Sequence, residues 1–141
     1  MTFETPGLFF TPKGFDPLGH ALPASIGAKL GASDHTIVAI AGDGGLPYNV
    51  QEMGTAFEEK IPIILIVWNN RGLAEIRDGF NRHGIEPIAV SQIPPNHIQL
   101  GQAYGWRSKR VHDHASLKKA IIAATHADRP TLIELLEEDP W

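Results

Sequence analysis

The distribution of apolar residues along the chain predicts an alternation of strands and helices. Two uninterrupted apolar runs, TIVAIA at 36–41 and IPIILIVW at 61–68, are typical of strands buried on both faces, as in parallel sheets. The run TLIELL at Thr131–Leu136 predicts a third strand, and the alternation of elements in the last third of the chain places a short strand around 108–111. Between the strands, apolar residues are spaced for one buried helical face, which predicts helices over 20–30, 50–59, 71–82, 96–104 and 115–126.

This alternation predicts an α/β fold: a doubly wound, mostly parallel sheet with helices on both faces. With 141 residues, the chain is expected to form one domain over 1–141. Residues 1–19 are rich in glycine and proline and predict irregular structure, and 83–95 predict a loop with three prolines.

Composition and charge remove several classes of function. The net charge is -4 and the basic residues are scattered, which disfavours nucleic-acid binding. The absence of cysteine excludes disulfides and thiolate chemistry, and the seven histidines lack the spacing of a zinc site. No apolar stretch approaches the ~20 residues that span a bilayer, and the N-terminus lacks the features of a secretion signal, so we expect a cytoplasmic protein without membrane association. The acidic residues near the C-terminus are expected to form a solvated strand end: Glu134, Glu137, Glu138 and Asp139.

Polar residues follow directly after the first two predicted strands. Asp43 lies in the glycine-rich segment GDGG at 42–45, and Asn70 ends the strand at 61–68 as part of Asn69-Asn70. In open parallel sheets, ligands bind outside the carboxyl ends of the strands. The position of both groups therefore makes them candidates for one site.

The spacing between Asp43 and Asn70 allows both residues to lie at the same edge of the sheet. A helix of about 12 residues travels ~18 Å at 1.5 Å per residue. A strand of about 7 residues returns ~23 Å at 3.3 Å per residue. The two distances nearly cancel, so a cation between the two side chains is feasible if their strands are adjacent.

The chemistry of these two side chains favours a hard divalent cation. A carboxylate and an amide oxygen suit Mg²⁺ or Ca²⁺ better than zinc, and Mg²⁺ completes its shell with phosphate oxygens and water. Gly42, Gly44 and Gly45 would let backbone N–H groups approach such phosphates. Each piece alone has a simpler interpretation, because GDGG can be a strand-ending turn and Asn-Asn a helix cap. Together they predict a diphosphate bound through a divalent metal.

The whole segment from Gly42 to Asn70, GDGGLPYNVQEMGTAFEEKIPIILIVWNN, resembles the metal-binding signature of thiamine diphosphate enzymes. Upstream, GHALPASIGA at 19–28 is similar to a helix of the same cofactor domain. Downstream, 100–105 and RPTLIE at 129–134 are similar to its closing helix and strand. The resemblance runs from about Gly14 to Glu137 and favours the branch of acetolactate synthases and benzoylformate decarboxylases.

The resemblance implies a role for each matching position. Asp43 and Asn70 would bind Mg²⁺ through their side chains, with the backbone carbonyl of Gly72 as third protein ligand. Thiamine diphosphate would be held by the segments around these ligands, in particular by Asp16, Leu18, Gly42, Gly44, Gly45 and Leu73. Leu18 would be the apolar wedge under the bent cofactor, and the backbone around Asp16 would bind the pyrimidine edge. Gly44 and Gly45 would bind the diphosphate through their N–H groups.

The same family needs a glutamate on a separate pyrimidine-binding domain, and no glutamate of this chain lies in the corresponding context. The resemblance therefore implies a 2-oxoacid decarboxylase or acetolactate synthase-like carboligase that needs a partner domain or subunit in a homo- or hetero-oligomer. The fold also lacks the N-terminal portion usual in the family, which would leave an unpaired sheet edge. Three explanations stay open: a truncated cofactor domain, one subunit of a split enzyme, or a non-catalytic assembly or cofactor-binding module.

Overall fold

Four parallel strands form the centre of the fold in the computed structural model, which describes residues 5–141. The strands are β1 (Val38–Gly42), β2 (Ile64–Asn69), β3 (Arg107–Val111) and β4 (Thr131–Leu136). They are arranged in the order β1-β2-β4-β3, and every adjacent pair is parallel. The predicted parallel α/β sheet is therefore confirmed.

Five α-helices connect or flank these strands. They are α1 (Ala21–Gly31), α2 (Glu52–Glu58), α3 (Ala74–Arg82), α4 (His97–Ala103) and α5 (His114–Thr125), and a short 3-10 helix covers Leu46–Asn49. Two of them begin at clear caps: the Asn96 side chain accepts from two backbone N–H groups of α4, and Asp113 forms a capping box with Ser116 on α5. Residues 5–20 form turns and extended chain, and positions 1–4 of the predicted irregular segment lie outside the described residues. None of the helices in 5–141 has the length and apolar character to cross a bilayer.

The core consists of two apolar clusters, one on each face of the sheet. The first contains residues of α1 and α2 with Leu65, Val67 and Leu132 of the strands. The second contains Ala120 and Ala124 of α5 with alternate residues of β2 and β4. Strand β2 is thus buried on both faces, as its apolar run predicts, and the doubly wound arrangement is confirmed.

The prediction that β1 is also buried on both faces is wrong. Val38 is 45% exposed and Ile40 56%, whereas Ala39 between them is 7% exposed. Strand β1 is an edge strand, and the cluster under α5 contains no residue of β1. A run of β-branched residues indicates a strand, but it does not indicate how many neighbours the strand has, so the sequence could not distinguish the two cases.

The free edge of β1 carries backbone groups of alternate residues. The Ile37 carbonyl accepts from Ile64 N, and Asp43 N donates to the Trp68 carbonyl, so these odd-numbered positions face β2. By the alternation of parallel strands, the backbone groups of Val38 and Ile40 point away from β2. No strand within 5–141 pairs with them. The exposed side chains and the free backbone groups therefore lie on the same edge.

Glu134 also contradicts its prediction, because it is 0% exposed rather than solvated. Its Oε1 accepts from His97 Nδ1 and Asn69 Nδ2, each at 2.8 Å, and its Oε2 accepts from Arg110 Nε at 2.8 Å. Glu137 and Glu138 are exposed as expected. Glu134 belongs to a strand with neighbours on both sides, whereas the other two follow its end.

Burial of the Glu134 carboxylate raises its pKa. The hydrogen bonds from His97, Asn69 and Arg110 together have a larger effect in the opposite direction, so the pKa falls from its ordinary 4.5 to about 2. The folded pKa lies below the unfolded one, so the carboxylate stabilises the fold above about pH 4.5. That contribution is lost as the pH falls towards 2.

We expect Glu134→Gln to remove this pH dependence, because glutamine has a similar shape and no ionisation. The free energy of unfolding, measured by urea titration from pH 6 to the lowest pH at which both proteins fold, should favour the wild type most above about pH 5. That advantage should shrink by up to about 3 kcal/mol towards pH 2. A difference that stays constant over this range would contradict the assignment.

Candidate cofactor and metal site

The carboxyl ends of β1 and β2 lie side by side. The register pairs Gly42 with Trp68, and the N–H of Asp43 extends this pairing by donating to the Trp68 carbonyl at 3.0 Å. Asp43 and Asn70 therefore leave the sheet at the same edge. The adjacency that the spacing argument required is confirmed.

Asp43 is buried at the base of this edge, with 2% of its surface exposed. Its Oδ1 accepts from the backbone N–H of Asn70 at 3.1 Å. Its Oδ2 is buried and has no hydrogen-bond partner within the described part of the chain. A buried carboxylate oxygen without a partner is costly, so this oxygen is available to a bound cation or ligand.

Three oxygen atoms converge beside Asp43. The side-chain oxygen of Asn70 lies 3.1 Å from Asp43 Oδ1 and 3.0 Å from the carbonyl oxygen of Gly72. Adjacent oxygens in an octahedral Mg²⁺ shell, each 2.0–2.1 Å from the metal, are about 2.9 Å apart. If the Asn70 amide rotates by 180°, its NH₂ group instead donates to both oxygens at the same distances. One orientation thus fits a cation and the other satisfies the site with hydrogen bonds.

Other metal-binding clusters are not seen in the described chain: residues 5–141 contain no group of three or more His, Cys, Asp or Glu side chains placed to hold an ion. The oxygens at this edge are a carboxylate, an amide and a backbone carbonyl. This donor set suits a hard divalent cation that keeps several positions for phosphate oxygens or water.

The loop after β2 has a strained backbone that orients the Gly72 carbonyl. Arg71 has φ 61° and Gly72 has φ 146°. A Cβ at Gly72 would collide with the Val90 carbonyl oxygen, so only glycine fits. The loop is held by bonds from Leu73 N to the Val90 carbonyl and from Gln92 N to the Arg71 carbonyl, at 2.9 and 3.0 Å. This geometry also explains why α3 begins at Ala74 and not at 71, where the sequence predicts it.

The glycine turn after β1 packs directly against that loop. A Cβ at Gly44 would lie 2.8 Å from the Gly72 carbonyl oxygen and 2.8 Å from Leu73 Cδ2. Gly44 is thus required by close packing of two backbones. The N–H of Gly45 donates to the Gly42 carbonyl at 3.0 Å, so in this structure it closes the turn and does not point freely outward as a phosphate donor. Gly42 itself has open space around its Cα.

Leu18 lies at the margin of the site, and Asp16 belongs to a turn of the preceding segment. Leu18 Cδ2 is 3.7 Å from the position of a Cβ on Gly45, and 43% of Leu18 is exposed. The residue that follows Leu18 is held by the Asn49 side chain, which donates to the Gly19 carbonyl at 3.3 Å. Asp16 is exposed, and its N–H donates to the Pro12 carbonyl at 3.0 Å. Of the predicted residues, the structure brings together Asp43, Gly44, Asn70, Gly72 and Leu73, with Gly45 and Leu18 next to them.

Sequence reasoning missed the residues behind the site. Asn69 Oδ1 accepts from Arg71 N at 3.1 Å, and the Asn69 amide donates to Glu134. The signal was the charged residue inside the apolar run TLIELL, because a buried charge needs hydrogen-bond donors close by. His97, which is also fully buried, carried no comparable signal.

Comparison with known proteins finds sequence similarity to decarboxylases and acetolactate synthases. The chain is 40% identical over 133 residues to a probable 2-ketoarginine decarboxylase of Pseudomonas aeruginosa, a match that covers 94% of this chain and 24% of that protein. It is 31% identical to a probable acetolactate synthase large subunit of Methanococcus aeolicus, over 93% of this chain and 22% of that protein. The chain thus spans about a quarter of the length of these relatives.

Solved structures agree in fold. A thiamine diphosphate-dependent 4-hydroxybenzoylformate decarboxylase of Rhodococcus jostii superimposes with a TM-score of 0.81 at 29% identity, over 87% of this chain and 24% of that one. A benzoylformate decarboxylase of Polynucleobacter necessarius, at 23% identity, shares the fold with a TM-score of 0.77 over 84% of this chain and 23% of that one.

The family model for the C-terminal TPP binding domain of thiamine pyrophosphate enzymes matches residues 1–135. This match covers nearly the whole chain, including the turn at Asp43 and the loop at Asn70. The resemblance found in the sequence is thereby confirmed: the chain belongs to the thiamine pyrophosphate enzyme family and corresponds to its C-terminal, cofactor-binding domain.

Proposed function

We propose that the chain is the diphosphate- and Mg²⁺-binding domain of a 2-oxoacid decarboxylase or acetolactate synthase-like carboligase. The observation that carries this proposal is the position of the Asn70 side-chain amide, which lies 3.1 Å from Asp43 Oδ1 and 3.0 Å from the Gly72 carbonyl oxygen. With the amide oxygen turned towards these two atoms, three oxygens face one another. Three oxygens at this spacing repel one another unless a hydrogen bond or a cation lies between them. A divalent cation that also binds the cofactor's diphosphate meets this requirement.

Each residue of the site has a role that follows from its position. Asp43 supplies the single negative charge, and Asn70 and Gly72 supply neutral oxygens, so the cation keeps enough charge to attract a diphosphate. Gly44 allows the two loops to approach closely, and Leu18 and Leu73 form apolar walls on either side of the turn. Bound thiamine diphosphate supplies the electron-sink chemistry for breaking or forming the bond next to a 2-oxo group. The protein residues named here bind and orient, and none of them transfers a proton.

The names of the relatives support a 2-oxo acid as the substrate class. The proteins compared above include a 2-ketoarginine decarboxylase and a 4-hydroxybenzoylformate decarboxylase, whose names both denote 2-oxo acids. These two side chains differ strongly, one being a guanidinium and the other a phenol. The proposal therefore covers the reacting 2-oxo group and leaves the side chain of the substrate open.

The edge strand β1 supports the need for a partner. Val38 and Ile40 are exposed beside unpaired backbone groups, and such an edge is a template for another strand. The proposed partner is the pyrimidine-binding domain or subunit, within a homo- or hetero-oligomer. The same surface also favours a second candidate function, an assembly module that keeps the fold without binding the cofactor.

Asp43→Ala should abolish Mg²⁺-dependent binding of thiamine diphosphate, because it removes the only charged oxygen of the converging group. Isothermal titration of the purified chain with thiamine diphosphate, with Mg²⁺ and with EDTA, measures this directly. Asp34→Ala is the matched control, since Asp34 is an exposed aspartate before β1 and its removal should leave the affinity unchanged.

The same titration separates the two candidate functions. Binding by the wild type that needs Mg²⁺ and is lost in Asp43→Ala supports the cofactor domain. A folded wild-type chain that binds no thiamine diphosphate at millimolar concentration supports the assembly module. Equal binding by wild type and Asp43→Ala would contradict the proposed metal site.

Gly44→Ala should separate the two loops, because its Cβ would lie 2.8 Å from both the Gly72 carbonyl oxygen and the Leu73 side chain. We expect a stability loss of about 1–3 kcal/mol and weaker binding of the cofactor. Gly27→Ala is the control: its Cβ meets open space on helix α1, and the change should be neutral or stabilising. Thermal unfolding and the titration above measure both effects, and unchanged binding in a folded Gly44→Ala would contradict the tight-packing argument.

The purified chain should not turn over 2-oxo acids by itself, because the activating glutamate is expected on the partner. Release of CO₂ from pyruvate and from benzoylformate, with thiamine diphosphate and Mg²⁺ present, can be followed in a coupled assay. Measurable turnover that persists after further purification and disappears in Asp43→Ala would show that no partner is needed.

A further inference from the structure

A buried hydrogen-bonded cluster lies directly behind the loop that carries Asn70 and Gly72. Glu134 is at its centre, with Oε1 accepting from His97 Nδ1 and Asn69 Nδ2 and with Oε2 accepting from Arg110 Nε. Glu134 and His97 are fully buried, and Asn69 is 6% exposed. None of these side chains belongs to the converging oxygens of the proposed metal site.

The ionised carboxylate fixes the orientation of the Asn69 amide. A carboxylate only accepts hydrogen bonds, so the Asn69 group that faces it must be the NH₂. The Asn69 oxygen is then turned to the opposite side, where it accepts from the backbone N–H of Arg71 at 3.1 Å. A neutral partner in place of Glu134 could either donate or accept, and would allow both amide orientations.

The bond from Asn69 to Arg71 supports an unfavourable backbone conformation. Arg71 has φ 61°, in the left-handed region, which is unfavourable for a residue with a Cβ. The conformation of Arg71 sets the direction of the following peptide and hence of the Gly72 carbonyl. That carbonyl lies 3.0 Å from the Asn70 side chain, among the three converging oxygens.

We propose that Glu134 is a positioning residue for the metal loop, acting through the amide of Asn69 and the N–H of Arg71. The inference rests on the proposed function, since it takes the converging oxygens as a cation site. Arg110 neutralises the carboxylate, and His97 holds the oxygen that faces Asn69. Glu134 thus stands behind the site and orients the loop through Asn69 without touching a ligand, whereas Arg110 contacts only the oxygen that faces away from Asn69.

The cost of burying this charge supports a role besides stability. A buried ion pair is often no more stabilising than well-packed apolar residues of similar volume, because desolvation offsets the attraction. The surrounding strands are apolar, and Leu132 and Leu135 of β4 are 0% and 4% exposed. An ionised carboxylate at this position fixes the direction of the Asn69 amide, whereas a leucine would leave it free to rotate.

Glu134→Gln is the principal test, measured by titration with Mg²⁺ and thiamine diphosphate and by ¹⁵N-resolved NMR of the Arg71 amide. We expect cofactor binding to weaken roughly tenfold or more, the size found for outer residues that orient metal ligands. The Arg71 amide resonance should shift and its hydrogen exchange should accelerate. A folded Glu134→Gln with wild-type affinity and an unchanged Arg71 amide would overturn the proposal.

Arg110→Met is the matched control, because it removes a partner from the same carboxylate but from the oxygen that does not face Asn69. It should lower stability and leave the affinity for the cofactor within about twofold, since Asn69 keeps its bond to Oε1. Equal loss of binding in both variants would mean that the cluster acts through stability alone, and would overturn the positioning role.

A double-mutant cycle tests whether the effect passes through Asn69. If it does, adding Glu134→Gln to Asn69→Ala should cause no further loss of affinity, and additive losses would contradict the route.

Should Glu134→Gln fail to fold, hydrogen exchange in the wild type remains decisive, since the Arg71 amide should be protected although it lies outside every strand and helix. Fast exchange there would overturn the proposal. If the wild type binds no cofactor, the proposed function is refuted. Hydrogen exchange of the Arg71 amide then still tests whether Glu134 and Asn69 hold the loop.

Discussion

The parallel pairing of β1 with β2 is the interaction on which the site depends. Its register places Gly42 beside Trp68, so the residues that follow each strand begin at the same height. Asp43 continues the pairing through its own N–H and is buried by it. A register shifted by one residue would turn Asp43 to the other face of the sheet and separate it from Asn70. The position of the carboxylate is therefore a property of the sheet rather than of the glycine turn.

Close approach of two backbones is the second constraint at this edge. Gly44 meets the Gly72 carbonyl with no room for a methyl group, and Gly72 in turn meets the Val90 carbonyl. The two glycines are required for different reasons, since Gly72 has a positive φ and Gly44 does not. Three segments from separate parts of the chain are stacked here, and their spacing is set by contacts between main-chain atoms. Such contacts have little capacity to adjust, which suits a site whose oxygens must be held at fixed separations.

Much of the fold could be predicted from the sequence, for identifiable reasons. Strand β2 lies in a continuous apolar run followed by polar residues, and β4, which is apolar except for Thr131 and Glu134, was predicted at its observed limits. The lengths of the helix and strand between Asp43 and Asn70 predicted that both residues lie at one edge of the sheet, whereas the pairing of their two strands was a condition that only the structure could test. The start of α3 could not be predicted, because the left-handed Arg71 and the loop at Val90 are tertiary features without a local signal. The exposed face of β1 was mispredicted because an apolar run carries no information on what covers it.

The candidate site was predicted less completely than the fold. Residue type and motif identified the groups at the edge of the sheet, yet they did not indicate that the N–H of Gly45 closes its own turn or that the N–H of Asp16 donates to the Pro12 carbonyl. The charge of Glu134 was visible in the sequence, but its partners come from α4, β2 and β3, which only the folded arrangement brings together. Local pattern therefore identified the parts of the site, whereas the contacts between them depend on long-range topology.

The exposed stripe of β1 also has a consequence for the chain in solution. Val38 and Ile40 lie on an edge that continues the hydrogen-bonding pattern of the sheet, and proteins usually protect such edges with charges, prolines or bulges. Within Val38–Gly42 there is no charged residue and no proline. Such an edge is a template for a further strand, and a strand that occupied it would pair the outward-facing N–H and C=O groups of Val38 and Ile40 and remove them from solvent.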